Sequence, residues 1–518
     1  MPISKTNDVF LLVKSLTTAE KRHFKSYSQR NQSGEHLKFL KLFNIIDKQK
    51  RSNDEVIFNQ LKEVTKSQYA NLKRHLYSQI LSSLKIINKS KHPNIQIREY
   101  IDFAYTLYGK GLYLQALKIL EIAKREAKKY HFNYMHLTII EIEKQIETRH
   151  ITRSGSQKVQ QLITESSQAN ERVSAIIYLS NLRIELHGRY IRNGHSRDKK
   201  QQTKLKKYFD KKIKTVDSAS LGVIERIYLF QSYVWFYYIQ LDFVLCRTYA
   251  NEWIQLFKNN PEMIDRDINL LMRAYHYHLS ASYHLNEYAT FEKCHKELEK
   301  LRKDNYKKLD SNSRIISFLY THSGRLDKII LSGAFEKGQE VIPRTLKRIQ
   351  RYQNKLDNHR ILIFYFKIAW IYFGNQEINK SIQFLNRIVN QEMPNLREDL
   401  QIYARLLFLM CHYEINNFET VDYLMKGFSS FFKKINEEYP LQLVTHNLFK
   451  KITSTPPSEH KDIFNNTYQL LKNLESDPFQ RTSLRYLDVL SWVQSKIERK
   501  TLASVVKSRT KTIRSKRF

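Results

Sequence analysis

Apolar and polar positions follow helical spacing over one stretch in particular, YIDFAYTLYGKGLYLQALKILEIAKREAKKY, which runs from Tyr100 to Tyr130. In its first half, apolar residues recur three and four positions apart, and Gly109 and Gly111 then mark a turn. In its second half, apolar or small residues recur at i, i+3, i+7 and i+10, namely Tyr113, Ala116, Leu120 and Ala123. The pattern predicts a hairpin of two helices, which small Ala104 and Ala116 allow to pack closely.

A second stretch with this pattern runs from Tyr365 to Pro394. Ala369 and Ser381 stand twelve positions apart there, as Ala104 and Ala116 do in the first stretch. Three weaker copies follow the same template and start near Phe230, Tyr275 and Phe408. In these copies a larger residue replaces the first small one: Val234, Leu279 and Leu409.

The spacing resembles the tetratricopeptide repeat (TPR), a family that places one small residue in the first helix, another twelve residues later and an aromatic residue just before the second helix. The resemblance covers most of residues 95–435. It implies an all-α fold, an α-solenoid of TPR-like hairpins with an N-terminal helical domain and a C-terminal helical cap. It also implies a protein partner in the concave groove of the repeats.

A chain of 518 residues is too long for one compact core, which rarely exceeds about 250–300 residues. We therefore predict successive parts: an N-terminal helical domain (1–92), first TPR-like helices (93–188), a basic insertion (189–214), further TPR-like repeats (215–452), a helical cap (453–500) and a basic tail (501–518). Within the insertion, the polar residues 193–202 predict an exposed loop, and residues 204–214 predict a helix with Leu205, Tyr208, Phe209 and Ile213 on its inward side.

The N-terminal part contains two features of helical proteins. Thr17 and Glu20 form the pattern of a capping box. A helix from about Asp54 to Lys62, a short turn and a second helix from Ser67 predict a helix-turn-helix over about 54–88. Its outer face would carry Lys66, Lys73 and Arg74, so DNA is one candidate partner, and a simple helical cap is the alternative.

Net charge changes this picture, because the chain carries a formal charge of +36. The charge is clustered: residues 189–214 hold eleven basic residues against two acids, whereas residues 251–300 hold six against eight. A generally lysine-rich composition would not produce such clustering. Clustered Lys and Arg are what contact with a phosphate backbone requires. RNA or the ribosome is therefore the predicted partner of the basic clusters, and DNA remains an alternative.

The residues predicted to contact nucleic acid lie in the insertion and in the tail. Those in the insertion are Arg189, Arg192, Arg197, Lys199, Lys200, Lys204, Lys206, Lys207, Lys211, Lys212 and Lys214. Those in the tail are Lys507, Arg509, Lys511, Arg514, Lys516 and Arg517. Most are lysines, which suit non-specific phosphate contact better than bidentate recognition of bases.

Catalytic and metal-binding patterns are not apparent, and we predict no enzyme activity, no cofactor, no metal and no small-molecule substrate. His276, His278 and His284 cluster loosely, but positions i and i+2 face different sides of a helix. The three cysteines (Cys246, Cys294 and Cys411) are far apart, which predicts buried thiols in a reducing compartment. No apolar run reaches the ~20 residues of a membrane span, so we expect a cytoplasmic protein.

Three functions remain open on the sequence. The first is a non-enzymatic repeat scaffold that binds a protein partner in its groove and RNA or the ribosome through its basic clusters. The second is a transcriptional regulator that joins a DNA-binding helix-turn-helix to a TPR-like sensor domain. The third is a protein–protein adaptor whose charge plays no part in binding.

Overall fold

The structure is a computed structural model that describes residues 8–29, 34–61, 64–89, 92–149, 155–390, 398–435 and 440–515. Within these ranges the chain forms 25 α-helices and no β-strand, so the predicted all-α class is confirmed. The chain divides into two compact units, residues 1–170 and residues 171–518. Among the described residues, no helix combines the length and apolar character needed to cross a bilayer.

Unit 1 contains the helices of the N-terminal part and one clear hairpin. Its helices are α1 (Asp8–Ser15), α2 (Thr18–Gln29), α3 (Gly34–Lys48), α4 (Asp54–Asn59), α5 (Lys66–Asn88), α6 (Pro93–Gly109), α7 (Tyr113–Lys129), α8 (Asn133–Glu147) and the start of α9 (Ser156–Asn193).

Unit 2 contains the rest of α9 and all later helices. These are α10 (Lys199–Ile213), α11 (Val223–Ile239), α12 (Phe243–Asn259), α13 (Glu262–His284), α14 (Tyr288–Asn305), α15 (Ser311–Ser332), α16 (Gly338–Tyr352), α17 (Asn358–Gly374), α18 (Ile378–Val389), α19 (Glu398–Glu414), α20 (Phe418–Ile435), α21 (Pro440–Ser454), α22 (His460–Ser476), α23 (Arg481–Tyr486), α24 (Val489–Glu498) and α25 (Leu502–Ser515).

One core of unit 1 lies among its first five helices. Helices α1, α2 and α3 pack around α5, and their apolar side chains enclose Phe24, Phe43 and Leu76, which are almost fully buried.

The predicted capping box is present at the start of α2. The Glu20 carboxylate accepts a hydrogen bond from the Thr17 backbone N–H at 2.7 Å, and Thr17 Oγ1 accepts one from the Glu20 N–H at 3.3 Å.

The predicted hairpins are present as pairs of packed helices. Helices α6 and α7 form the first, and α17 and α18 form the second; Pro394 lies outside the described residues. The small residues Ala104 and Ala116 are fully buried in the first hairpin. In the second hairpin, Ser381 Oγ donates a hydrogen bond to the Ala369 carbonyl at 2.9 Å. The pairs α11–α12, α13–α14 and α19–α20 correspond to the three weaker copies.

One turn geometry recurs after α6, α7, α11, α13, α17 and α19. A residue with left-handed backbone lies two positions after the last residue of the helix, and the N–H of the following residue bonds back to a carbonyl five residues earlier. Leu112 N to Leu107 O is 2.9 Å, and Asn417 N to His412 O is also 2.9 Å. This is the Schellman arrangement, which satisfies carbonyls at the end of a helix. The left-handed residues are Gly111, His131, Leu241, Asn286, Gln376 and Asn416.

Packing in unit 2 is mostly sequential. From α11 to α22, each helix packs on the next or next-but-one helix in the chain, and alternate helices α13, α15, α17, α19 and α21 also contact one another. The last helix departs from this order, because α25 packs on α24 and also on α15. The Thr510 hydroxyl donates to the Leu331 carbonyl at 3.1 Å.

Two segments differ from the sequence expectation. Residues 193–202 were expected to form a loop, but α9 continues to Asn193 and α10 begins at Lys199, so the loop is only 194–198. Residues 501–518 were expected to form a basic tail, but Leu502–Ser515 is a helix in which Leu502, Val505 and Val506 are buried. In both segments a few apolar residues at helical spacing outweigh the many charges.

Candidate nucleic-acid interface

Helix α10 packs against α11 through its apolar side. Asp198 caps its N-terminus, with the carboxylate accepting a hydrogen bond from the Gln201 N–H at 2.7 Å. Leu205 and Phe209 are buried, and the Phe209 ring stacks on Phe236 of α11 with centroids 4.0 Å apart. This packing fixes which side of α10 faces solvent.

Five lysines lie on the side of α10 and its C-terminal end that faces away from Leu205 and Phe209. Their spacing is i, i+4, i+7, i+11 and i+14, which places them within about 80° of the helix circumference and along about 21 Å of its axis. All five side chains are exposed. We call them the lysine face: Lys200, Lys204, Lys207, Lys211 and Lys214.

The two acids within residues 189–214 do not interrupt the lysine face. Asp198 is occupied in capping the helix, and Asp210 lies beside Lys206, whose Nζ is 3.6 Å from its carboxylate. The face therefore presents five positive charges without an acid among them. Since repulsion among these charges is not relieved locally, an anionic partner would stabilise the arrangement.

The other predicted residues of the segment have different surroundings. The Arg189 guanidinium lies over the Tyr208 ring at 4.1 Å, and Lys212 is half-buried near the same ring. Arg192, Arg197 and Lys199 are exposed but lie outside the lysine face. The sequence could not separate these residues from the five lysines, because all eleven share one charge.

The structure places the C-terminal basic residues differently from those of α10. Arg509 is drawn into the fold: its guanidinium pairs with Glu475, donates to Ser491 Oγ at 3.0 Å and lies 3.7 Å from Asp488. Lys507 lies 3.4 Å from Glu336 at the surface. The side chains of Lys511 and Arg514 fall outside the described part of the chain, as do Lys516 and Arg517. Arg509 is therefore not available to a partner.

The predicted helix-turn-helix corresponds to α4 and α5, with residues 62 and 63 outside the described ranges. Lys73 is turned inward and donates to Asp54 at 3.0 Å. Arg74 donates to Asn71 at 2.9 Å on the exposed side of α5, and Lys66 is exposed. Of the three basic residues predicted for this element, one is thus engaged within the fold.

Titratable residues do not assemble a metal centre in the described part of the chain, where no group of three or more His, Cys, Asp or Glu residues is placed to hold an ion. The three cysteines are buried, as expected, and burial raises the pKa of the Cys411 thiol to about 12. Burial lowers the pKa of His276 to about 3 and that of His278 to about 4, so both imidazoles are neutral near pH 7.

Comparison with known proteins found no match. No known protein family, no curated protein and no solved structure matches this chain. The residues themselves, above all the lysine face, therefore provide the evidence for function.

Proposed function

We propose that this chain is a non-enzymatic, TPR-like helical-repeat protein that binds RNA, ribosomal RNA included, through the lysine face of α10. The repeat assignment is supported by the recurring turn, by the full burial of Ala104 and Ala116, and by the hydrogen bond from Ser381 to the Ala369 carbonyl. The predicted protein partner in the groove of the repeats remains part of the proposal. The observation that carries the RNA proposal is the row of five exposed lysines.

A phosphate backbone suits this row for three reasons. The charges follow one line over about 21 Å, as a strand of phosphates would require. Lysine is a flexible point charge, which favours contact without a fixed base sequence. The apolar side of α10 is buried in the protein, so α10 has no apolar surface to insert into a membrane.

DNA recognition through α5 is the weaker alternative. A recognition helix needs several side chains that reach base edges from one exposed face. On α5, Lys73 is bound to Asp54, and Arg74 and Lys66 are the predicted basic residues left on the outer side. A protein–protein adaptor is the remaining alternative, and it predicts no nucleic-acid binding at all.

A test compares two variants of equal charge. One replaces the lysine face by glutamine (K200Q/K204Q/K207Q/K211Q/K214Q). The other replaces five exposed lysines on and just after α14, where acids are interspersed: Lys293, Lys296, Lys300, Lys303 and Lys307. Both variants lose five charges, so only the position of the lost charge differs. Binding of a labelled oligouridylate is measured by fluorescence anisotropy over a series of salt concentrations.

The α10 variant should bind at least about tenfold more weakly, and its salt dependence should fall by up to about 3.5 in the slope of log K against log salt, because each lost contact removes about 0.7. The α14 variant should resemble the parent protein. Equal losses in both variants would mean that overall charge, and not the lysine face, drives binding. If the parent protein bound no nucleic acid, the adaptor would be favoured. If the parent protein preferred duplex DNA to RNA and the K66Q/R74Q variant lost that preference, the regulator would be favoured.

A further inference from the structure

A cavity of about 410 Å³ lies within unit 2, lined mainly by α11, α13, α15, α17, α19 and α23. Its volume falls in the range of small-molecule pockets, about 300–1,000 Å³. Aromatic rings from six of these helices form much of its wall: Trp235, Tyr277, Tyr320, Trp370, Tyr403 and Tyr486. The sequence pattern had predicted no small-molecule substrate.

The rings of the wall hold one another in place. Trp235 meets Tyr277 edge-on at 5.4 Å, and the His276 imidazole stacks on Tyr320 at 4.4 Å with an interplanar angle of 10°. Rings fixed in this way offer flat apolar surfaces, and their side chains lose little conformational entropy when a ligand binds. The cavity is therefore suited to a ligand with a flat ring.

Two of the three cations in the wall are already paired. Lys367 Nζ lies 2.7 Å from the Asp327 carboxylate and donates to Ser323 Oγ at 2.7 Å. Arg360 lies 3.0 Å from Asp357. These pairs satisfy the two cations within the protein.

Arg485, the third cation, has no such partner. Its Nε is buried and has no hydrogen-bond partner among the described residues, and the charges nearest to its guanidinium are the carboxylates of Asp488 and Glu475. The nearby acids Glu475 and Asp488 are instead engaged by Arg509. A buried guanidinium N–H without an acceptor is energetically costly, and an anionic group in the cavity would supply the acceptor that Arg485 lacks.

A buried imidazole on the same wall is also unsatisfied. His284 Nδ1 has no hydrogen-bond partner among the described residues, although the ring stacks on Phe243 at 4.3 Å. Burial, and then the nearby His195, Arg485 and Lys367, lower the pKa of His284 well below its usual value. The imidazole is therefore neutral and can donate to or accept from a ligand, and the field around it is positive.

We infer that this cavity binds a small organic anion with a flat ring, whose carboxylate or phosphate group pairs with Arg485. A planar guanidinium binds either group in a bidentate manner, and the aromatic wall would enclose the ring. A folded partner is too large for 410 Å³. The lysine face does not contribute to the cavity, so this inference stands independently of RNA binding.

The test uses the full-length protein and probes matched in shape but not in charge. Indole-3-acetate is compared with tryptamine, and adenosine monophosphate with adenosine, by isothermal titration calorimetry. We expect at least one anionic probe to bind at least about tenfold more tightly than its uncharged or cationic counterpart. Which anion binds distinguishes a carboxylate ligand from a phosphate ligand.

Arg485→Gln is the decisive variant. It should lower the affinity for the anionic probe at least about tenfold while leaving the thermal unfolding temperature unchanged or raised, because it removes a buried charge without breaking a pair. Arg344→Gln, at an exposed surface pair with Glu340, is the matched control and should change neither.

Two results would overturn the inference. One is that no anionic probe binds more tightly than its counterpart at millimolar concentration. The other is that R485Q binds the probe as the parent protein does. A fall in unfolding temperature with unchanged probe binding would assign Arg485 a purely structural role.

Discussion

Gly333 joins α15 to the turn before α16 with a left-handed backbone, φ +66°. A Cβ atom at this position would lie 3.0 Å from the Ala503 carbonyl oxygen and 3.0 Å from two carbons of Val506. Both of these residues belong to α25, so the absence of a side chain at Gly333 permits α25 to pack against this turn.

Gly333→Ala should lower the free energy of unfolding by roughly 1–3 kcal/mol, because alanine both resists the left-handed conformation and crowds α25. Urea unfolding measures the change. Gly188→Ala is the control: Gly188 lies inside α9 with open space around it, so the same substitution should raise stability by roughly 0.5–1 kcal/mol. Equal effects at the two sites would contradict the packing of α25.

Arg509 and Lys507 lie two positions apart on α25, yet their surroundings differ. The Arg509 guanidinium joins α22 and α24 through Glu475 and Ser491, whereas Lys507 forms an exposed pair with Glu336. Arg509→Gln should therefore cost roughly 1.5–3 kcal/mol of unfolding free energy. Lys507→Gln should change it by less than about 0.5 kcal/mol.

Chemical denaturation of both variants measures this difference. Similar small losses for both would mean that α25 is not anchored by Arg509. The sequence could not distinguish the two residues, since the partners of Arg509 lie 18 to 34 residues away along the chain, at Ser491, Asp488 and Glu475.

Among the elements, the hairpin of α6 and α7 was predicted best. Helical spacing and two glycines identify its ends, and the observed turn at residues 110–112 overlaps the predicted turn at Gly109–Gly111. The turn after α11 has no such signal, because Leu241 occupies the left-handed position. There the recurrence of the hairpin, and not the residue type, indicates where the helix ends.

Charge misled the prediction for residues 199–202 and for α25. Residues 199–202 were expected in an exposed loop, but α10 begins at Lys199 with Asp198 as its cap, and Leu205 and Phe209 are buried as the helical pattern over 204–214 predicts. The same holds for α25, which buries Leu502, Val505 and Val506. Composition over a window hides such sparse apolar positions, whereas helical periodicity reveals them.

At the scale of the whole molecule, buried histidines predict acid sensitivity. The pKa of His322 is lowered to about 3 by burial and by the nearby Arg325, and that of His276 is lowered to about 3 by burial and by the nearby Lys367. Burial lowers the pKa of His284 well below its usual value. Each imidazole is neutral in the folded chain and gains a proton on unfolding below its ordinary pKa of about 6.5.

Because the unfolded chain binds more protons below pH 6.5, folding stability should be fully present above that pH and should fall as the pH decreases towards 3. Between about pH 7.5 and about pH 5.5 we expect a loss of roughly 1 kcal/mol per histidine. Urea unfolding at both pH values measures it. His276→Phe should reduce the loss, and an equal free energy of unfolding at both pH values would contradict this assignment.

The candidate site was predictable as a charged segment but not as a surface. Eleven basic residues between Arg189 and Lys214 identified the region, and only the packing of Phe209 on Phe236 separates the lysine face from the other six. The cavity around Arg485 could not be foreseen, because its wall joins residues almost three hundred positions apart, such as His187 and Tyr486.

The central claim, that RNA contacts the lysine face, is tested most directly by lysine footprinting. The full-length protein is acetylated with and without an oligouridylate, and the modification of each lysine is read by mass spectrometry. We expect RNA to protect Lys200, Lys204, Lys207, Lys211 and Lys214 while Lys293, Lys296 and Lys300 of α14 react as before. Unchanged labelling of the α10 lysines in the presence of bound RNA would contradict the account.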